Sequence, residues 1–259
     1  MRYYVVADVH GYFEPLKWAL EEKGFFSDTH ERKLVVCGDL FDRGPSARKL
    51  QDFICELISR DEVILIKGNH EELMEEMLEN FYDYLPSMEY THHYHNGTFD
   101  TALSLTKMNK HDVETNPEIF RKRMYQTPYL KEIIPEMLNY YETEHYVFVH
   151  GYIPCQSVLV GKDTERYFGI ENWRGAPAKA WSRARWINGM YAHKCGVRVP
   201  DKTIVCGHYN TSWGHSLIDG KCSQWGPDSI FEPYIKDGLI ALDGAVSFTK
   251  RVNCVVIDD

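Results

Sequence analysis

The sequence lacks the features that would place a protein in a membrane or outside the cell. No stretch approaches the roughly 18 consecutive apolar residues that a membrane span needs. The N-terminus has no basic segment, apolar core and small-residue cleavage site of a secretory signal. The 7 cysteines are scattered without a CxxC pair, which indicates neither a disulfide framework nor a structural zinc knuckle. We therefore expect a cytoplasmic protein with reduced, mostly buried cysteines.

Basic residues are in deficit as well, with 29 Lys and Arg against 38 Asp and Glu and a formal net charge of −9. Broad binding to nucleic acid or anionic membranes depends on a basic surface, so we expect neither as a stable partner. The 259 residues contain no internal repeat or low-complexity linker and are 44% hydrophobic. This length fits one large α/β domain or two small ones, and the sequence indicates no oligomeric state.

Hydrophobic periodicity predicts a βαβαβ arrangement in the first third of the chain. The predicted strands are 3–7, 34–36 and 63–66, and the predicted helices are 14–22, 47–59 and 71–79. Periodicity weakens from about 80 to 145, where four prolines interrupt the chain, and we interpret this part as a mainly helical insertion. Further strands are predicted at 146–149 and 203–206, and the tail has predicted strands at 216–218, 239–242 and 253–257, which suits a second sheet.

Five of these strands are each followed, within one to three residues, by a metal-competent side chain in a turn that contains glycine. These side chains are Asp8 with His10, Asp39, Asn69 with His70, His150, and His208. Ligands of open α/β sheets bind at the carboxyl ends of the strands, so the five turns can converge on one site. One Asp or His after a strand is usually a turn residue or a helix cap, but five favour a shared site. The mixed oxygen and nitrogen donors suit manganese, iron or zinc better than calcium.

In this order the motifs resemble those of the calcineurin-like metallophosphoesterases and, more narrowly, of the phosphoprotein phosphatases with their small bacterial and phage members. The motifs are Asp8-Val9-His10-Gly11, Gly38-Asp39-Leu40-Phe41-Asp42-Arg43-Gly44, Gly68-Asn69-His70-Glu71, His150-Gly151 and Gly207-His208. The resemblance implies an α/β fold, a four-layer α-β-β-α sandwich of two mixed sheets flanked by helices. It also implies a single domain over 1–259, with the 80–145 insertion over the active-site face.

The resemblance further implies two divalent metal ions, Mn²⁺ first, with Fe and Zn as alternatives. One ion would be held by Asp8, His10 and Asp39, and the other by Asp39, Asn69, His150 and His208, so that Asp39 bridges them. The implied reaction is hydrolysis of a phosphate monoester by direct attack of a metal-bridging hydroxide, without a phosphoenzyme.

Four further residues take catalytic roles by the same resemblance. His70 would be the general acid, with Asp42 holding its orientation. Arg43 and Arg183 would bind the phosphate oxygens, since the arginine fork suits that task. Arg183 is assigned because Trp181-Ser182-Arg183-Ala184-Arg185 resembles a Trp-x-Arg segment of the small members, which leaves Arg185 as a rival.

Substrate choice is left open among three functions. A serine/threonine protein phosphatase leads, because Asp42-Arg43 and Glu71 look like the protein-phosphatase forms of their motifs. A symmetrical bis(5'-nucleosyl)-tetraphosphatase is the alternative, because in that group an aromatic residue can follow the last histidine, as Tyr209 does. A noncatalytic metal-binding scaffold is disfavoured, since every ligand is present. The substrate would be a phosphorylated protein or a nucleotide.

Three features outside the motifs could be either structural or functional. Tyr152 and Tyr209 depart from the family pattern and could contact the substrate by stacking on a base or phenyl ring, with simple packing as the alternative. The run His92-His93-Tyr94-His95 is interpreted as solvated loop residues rather than an extra metal site. The glutamates from Glu71 to Glu79 are interpreted as the exposed face of a helix.

Overall fold

Twelve strands form the framework of the residues that the computed structural model describes, 1–160 and 164–259. They are β1 (Arg2–Val6), β2 (Arg32–Cys37), β3 (Val63–Ile66), β4 (Met137–Leu138), β5 (Tyr141–Glu142), β6 (Tyr146–Phe148), β7 (Cys155–Val160), β8 (Thr164–Gly169), β9 (Thr203–Cys206), β10 (Tyr234–Lys236), β11 (Leu239–Ala241) and β12 (Cys254–Asp258).

The first sheet has the order β12-β1-β2-β3-β4. Its strands β1 to β4 run parallel, and β12 pairs antiparallel with β1 at one edge. Helix α1 (Phe13–Glu22) connects β1 to β2, and helix α2 (Ala47–Ser59) connects β2 to β3. The predicted βαβαβ arrangement is therefore confirmed. The shared parallel direction places the carboxyl ends of β1, β2 and β3 at one edge of the sheet.

The second sheet has the order β10-β11-β9-β6-β5. Its three central strands, β11, β9 and β6, run parallel, while β10 and β5 pair antiparallel at the two edges. Strands β7 and β8 form a separate antiparallel hairpin. The sequence did not predict this hairpin, since it lies in a stretch without regular alternation.

The two sheets pack face to face, and each carries helices on its other face. Along β1 the side chains alternate: Tyr3 and Val5 join Phe148 and Val205 of the second sheet in one cluster, while Tyr4 belongs to the cluster under the helices. The outer face of the second sheet is covered by α10 (Ala178–Ala184) and α11 (Gly189–Lys194). Both sheets are mixed and flanked by helices, so the predicted four-layer α/β fold is confirmed.

The segment between β3 and β4 is helical. It begins with α3 (Asn69–Glu79) and continues as α4 (Phe81–Tyr84), a 3₁₀ segment (Leu85–Tyr90), α5 (His92–His95), α6 (Thr98–Thr106), α7 (Lys110–Thr115), α8 (Pro117–Met124), a π-helical turn (Tyr129–Ile133) and α9 (Ile134–Glu136). Its apolar side chains share one buried cluster with the outer face of the first sheet. Among the described residues, no helix is long and apolar enough to cross a membrane.

The later helices correct one strand prediction. Residues 216–218 were expected to form a strand but belong to a π-helical turn (Gly214–Ile218) that follows α12 (Thr211–Trp213). A three-residue run of Ser, Leu and Ile has no periodicity of its own, so its neighbours decide its conformation. The last helix, α13 (Val246–Thr249), precedes β12.

Because the insertion shares the main core, we expect it to unfold together with the sheet. Phe120 of α8 is fully buried and lies 5.0 Å from Phe81, centroid to centroid. Replacing Phe120→Ala should lower the free energy of unfolding by about 3–5 kcal/mol. Urea denaturation followed by tryptophan fluorescence and circular dichroism should still show one transition.

The neighbouring Ile119→Ala is the matched control, since Ile119 is 48% exposed and should change stability by no more than about 0.5 kcal/mol. A separate transition at lower urea in Phe120→Ala, seen by one probe only, would contradict a shared core.

Candidate metal centre

The five predicted turns lie close together at the carboxyl ends of strands from both sheets. Asp8, Asp39 and Asn69 follow β1, β2 and β3 of the first sheet, and His150 and His208 follow β6 and β9 of the second. The carboxylate of Asp39 lies between the two groups. Its Oδ2 is 3.6 Å from His10 Nε2, and its Oδ1 is 3.3 Å from His150 Nε2. The tertiary structure therefore brings together residues that are up to 200 positions apart.

The backbone at this edge is held in conformations that side chains rarely adopt. Asp8, His10, Asp39 and His208 have φ values of 53°, 48°, 51° and 68°, in the left-handed region. Such residues cost of order 1–3 kcal/mol each and persist where the surroundings determine them. Gly38 also has positive φ, and a Cβ there would overlap the His150 ring. This explains a glycine immediately before Asp39.

Hydrogen bonds assign the tautomers of two histidines. His10 Nδ1 donates to the Phe41 carbonyl at 3.0 Å, and His150 Nδ1 donates to the Cys37 carbonyl at 2.9 Å. Burial lowers the pKa of both rings, which favours their neutral forms. Each ring therefore presents the lone pair of Nε2 to the site, as a metal ligand must.

Three hydrogen-bond acceptors converge on the side of Asp39 that faces His150, and none of them has a proton to donate. His150 Nε2 lies 2.8 Å from Asn69 Oδ1 and 3.3 Å from Asp39 Oδ1, and all three atoms carry lone pairs in this tautomer. Three converging acceptors repel unless a cation lies among them. The donor set fits a divalent transition metal here.

Asp39 belongs to both potential ligand groups of the centre. The potential ligand atoms of His10, Asp39 and His70 lie within 4.8 Å of one another, and so do those of Asp39, His150 and His208. This arrangement suits two ions that share the Asp39 carboxylate. Asp8 is placed differently: its carboxylate accepts the backbone N–H of His208 at 3.0 and 2.9 Å.

The charges of the site also suit cations. Burial would raise the pKa of Asp39, but the neighbouring histidines, led by His150, hold it below its usual range. Burial, with Asp243 and Asp39 nearby, raises the pKa of Asp8. Burial and the Asp39 charge raise the pKa of Asp243 to about 6. Buried carboxylates that disfavour one another's ionisation are neutralised by bound metal ions.

Glu71 is buried rather than exposed, so the expectation of an all-exposed glutamate face is wrong for this residue. Its Oε2 accepts the backbone N–H groups of Gly68 at 2.7 Å and Asp39 at 3.1 Å, and its Oε1 accepts that of Leu40 at 2.9 Å. Burial and the Asp39 charge raise the pKa of Glu71 to about 7. The side chain therefore joins the turn after β2 to the turn after β3 and positions Asp39.

The predicted acid pair is in contact. His70 Nδ1 lies 2.7 Å from Asp42 Oδ2, and the same oxygen accepts the Thr98 hydroxyl at 2.7 Å. The Asp42 backbone N–H donates to the Thr101 hydroxyl at 3.1 Å. Although burial opposes it, the charges of Asp39 and Asp42 raise the pKa of His70. Thr98 and Thr101 come from α6, and the sequence offered no signal for them.

The arginines differ in their freedom to bind a phosphate. Arg43 donates to His10 Nε2 at 3.0 Å and to His70 Nε2 at 2.9 Å, which places its guanidinium over the site. Arg185, the rival of Arg183, is buried and donates to Glu72 at 2.6 Å and to the Lys67 carbonyl at 3.0 Å. Arg183 is exposed and lines an open pocket of about 680 Å³ beside Trp186. Arg183 is therefore exposed at this pocket, whereas Arg185 is held by structural contacts.

The two candidate tyrosines have different places. Tyr152 is 1% exposed and its hydroxyl donates to the Val197 carbonyl at 2.9 Å, so the expectation that it contacts substrate is wrong. Its ring is part of the core between the second sheet and its helices. Tyr209 is 37% exposed, 5.1 Å from the His208 ring. Trp186, which the sequence did not select, is 50% exposed and 5.6 Å from His208.

Buried carboxylates and imidazoles that converge at the strand ends of two mixed sheets form a donor set suited to a pair of metal ions, as in dinuclear metallohydrolases. The sequence profile described as calcineurin-like phosphoesterase matches residues 1–239. The chain therefore belongs to the calcineurin-like phosphoesterase family, whose members are metal-dependent hydrolases of phosphate esters. The resemblance seen in the motifs is confirmed.

Curated relatives carry names from nucleotide metabolism. The chain is 28% identical over 142 residues to bis(5'-nucleosyl)-tetraphosphatase PrpE (asymmetrical) of Bacillus subtilis strain 168, which covers 52% of this chain and 53% of that protein. It is 39% identical over 71 residues to the symmetrical bis(5'-nucleosyl)-tetraphosphatase of Cellvibrio japonicus strain Ueda107, covering 27% and 25%. The chain thus spans about half or less of these relatives.

Solved structures with low sequence identity share the fold. A cold-active protein tyrosine phosphatase matches 99% of this chain and 73% of its own with a TM-score of 0.53 at 16% identity. The cold-active protein-tyrosine phosphatase of a psychrophilic Shewanella species matches 100% and 75% with a TM-score of 0.51 at 16% identity. At this identity the likeness concerns the fold alone.

The contacts of Glu71 predict that it controls metal binding without touching metal. Replacing Glu71→Gln turns an acceptor into an N–H that faces a backbone donor, so the Asp39 turn should shift. We expect Mn²⁺ affinity, measured by titration calorimetry, to fall roughly 10–100-fold, as is typical for partners of ligands.

Glu79→Gln makes the same charge change at the exposed end of α3 and serves as the control. Equal Mn²⁺ affinity in the two variants, with native circular dichroism in both, would show that Glu71 does not position Asp39.

Proposed function

We propose that this phosphoesterase removes phosphate from phosphoserine or phosphothreonine in proteins. The observation that carries the proposal is the chain of contacts from Thr98 through Asp42 to His70. It supplies a buried, oriented imidazole whose pKa is raised by the charges of Asp39 and Asp42. Nε2 can carry the proton once Arg43 turns from it to the phosphate. Such a group is suited to protonate the oxygen of a departing alcohol.

The leaving group explains why this acid favours a phosphomonoester of serine or threonine. The alkoxide of a serine or threonine is a strong base and a poor leaving group, so its departure needs a proton in the transition state. A nucleotide phosphate leaves as a stable anion and needs little help. An enzyme that acts only on nucleotide phosphates would gain less from the hydrogen bonds by which Thr98 and Asp42 orient His70.

Other residues of the site are proposed to bind the phosphate oxygens and the metal ions. Arg43 lies within hydrogen-bond distance of His70 and His10, so it can turn its fork to phosphate oxygens beside the acid. Arg183 is exposed in the pocket beside Trp186 and is proposed to bind a second oxygen. Asp8, His10, Asp39, Asn69, His150 and His208 are proposed to hold two divalent metal ions, Mn²⁺ first, with Fe and Zn as alternatives. Bound there, the ions would lower the pKa of water and neutralise phosphate charge.

A symmetrical bis(5'-nucleosyl)-tetraphosphatase is the second candidate, and a specific observation favours it. Trp186 and Tyr209 are exposed aromatics that both lie near the His208 ring, where a nucleobase could stack. The Cellvibrio japonicus relative carries the name of a symmetrical tetraphosphatase, and the Bacillus subtilis relative carries that of an asymmetrical one.

The acid role of His70 predicts a dependence on the leaving group. In His70→Asn, kcat on a phosphothreonine peptide should fall by roughly 10²–10⁴-fold. On p-nitrophenyl phosphate, whose phenolate leaves without a proton, the loss should be much smaller. His95→Asn is the control, because His95 is exposed on α5 away from the acid pair. A uniform loss on both substrates would refute the general-acid assignment.

A substrate panel with Mn²⁺ separates the two candidate functions. The panel contains p-nitrophenyl phosphate, phosphoserine and phosphothreonine peptides, and diadenosine tetraphosphate. We expect highest kcat/KM on the peptides and no turnover of any substrate by Asp39→Asn, which removes the shared ligand. Turnover of the tetraphosphate alone would overturn the protein-phosphatase proposal, and metal binding without any turnover would favour a noncatalytic scaffold.

A further inference from the structure

A second group of metal-competent side chains lies on the helical insertion. It consists of Glu76 on α3 and of His92 and His93 on α5. One potential ligand atom from each lies within 4.8 Å of the other two. His92 Nε2 is 3.5 Å from Glu76 Oε2, a separation typical of two ligands of one ion. None of these residues belongs to the dinuclear centre.

His93 is the unusual member of the group. The sequence predicted solvated loop residues here, and this prediction is wrong for His93, which is fully buried. Among the described residues, neither of its ring nitrogens has a hydrogen-bond partner. A buried polar group left unpaired is unfavourable, and such groups in native proteins usually bind an ion or a water or serve a function. An ordinary ion pair between His92 and Glu76 leaves this cost unexplained.

A hydrogen bond from Tyr84 orients the Glu76 carboxylate toward His92. The Tyr84 hydroxyl donates to Glu76 Oε1 at 2.8 Å, which leaves Oε2 directed to His92. The Tyr84 ring also packs edge-on against His93 at 4.7 Å. Hydrogen bonds of this kind to the outer atom of a ligand are a regular feature of protein metal sites.

We propose that Glu76, His92 and His93 bind a single divalent cation of the zinc type, separate from the dinuclear centre. Two imidazoles and one carboxylate suit zinc and its neighbours in the transition series better than Ca²⁺ or Mg²⁺. The side chains of Glu76 and His92 are 44% and 48% exposed, so the ion can enter from solvent and keep a water ligand.

Such an ion would join two parts of the chain that support catalysis. Helix α3 begins at Asn69 and His70, and α5 leads through Gly97, which packs on the Arg43 backbone, to Thr98. A cation between Glu76 and α5 ties these two segments together. The site is therefore structural, holding the insertion against the turn that carries Asp42.

The test compares zinc stoichiometry in matched variants of the full chain. Protein stripped with EDTA is dialysed to equilibrium against buffered Zn²⁺, and bound metal is counted by atomic emission. Glu76→Gln keeps an acceptor for Tyr84 but removes the anionic ligand, and His92→Ala removes the exposed imidazole. Glu79→Gln and His95→Ala make the same changes on the same two helices outside the group. We expect the first two variants to bind one zinc ion fewer than wild type and the controls to equal wild type.

The measured quantity is the difference in bound zinc between wild type and each variant. This difference does not depend on whether the dinuclear centre binds zinc. If the dinuclear centre binds no zinc, wild type should still exceed Glu76→Gln by one ion. Equal stoichiometry in wild type, Glu76→Gln and His92→Ala would overturn the proposal. Melting temperatures in EDTA establish that the variants fold, and added Zn²⁺ should raise them less in Glu76→Gln than in Glu79→Gln. An equal rise would also count against the site.

Discussion

The placement of the Asp39 carboxylate is the constraint on which the site depends. It must face His10 on one side and His150 on the other while its backbone stays in the left-handed region. That conformation is unfavourable by itself, so the surroundings have to impose it. Glu71 does so by accepting three backbone N–H groups from the turns after β2 and β3. Gly38 makes room for the His150 ring. The candidate metal centre thus depends on the strand ends of two sheets being held in fixed positions relative to each other.

The helical insertion adds the second level of organisation. Its core is continuous with that of the first sheet, and Thr98 and Thr101 hold Asp42 by one hydrogen bond each. The orientation of His70 therefore depends on a helix that begins almost thirty residues further along the chain. Substitution of Thr98 or Thr101 would disturb the acid pair while leaving the candidate ligands on the strand ends in place. Metal binding and proton transfer can in this way be supported by different parts of the fold.

Local patterns allowed much of the framework to be predicted. Strands and helices of the first third follow from hydrophobic periodicity, and the candidate ligands were selected as polar residues beside glycine at strand ends. The hairpin of β7 and β8 and the helical turn at Gly214–Ile218 were not predicted, because their short segments take their conformation from tertiary neighbours. Likewise, no local pattern distinguishes Arg183 from Arg185, although Arg183 is exposed and Arg185 is buried against Glu72.

The sequence by itself determined the βαβαβ start and the metal-competent residues that follow five of the strands. Only the tertiary structure decided which polar side chains face a buried site: Glu71 and His93 inside, Tyr152 in the core and Tyr209 at the rim. The physical reason is that periodicity reports how often a side chain returns to one face of an element. What that face meets, whether water, apolar packing or a shared ligand site, is set by segments far away in the chain.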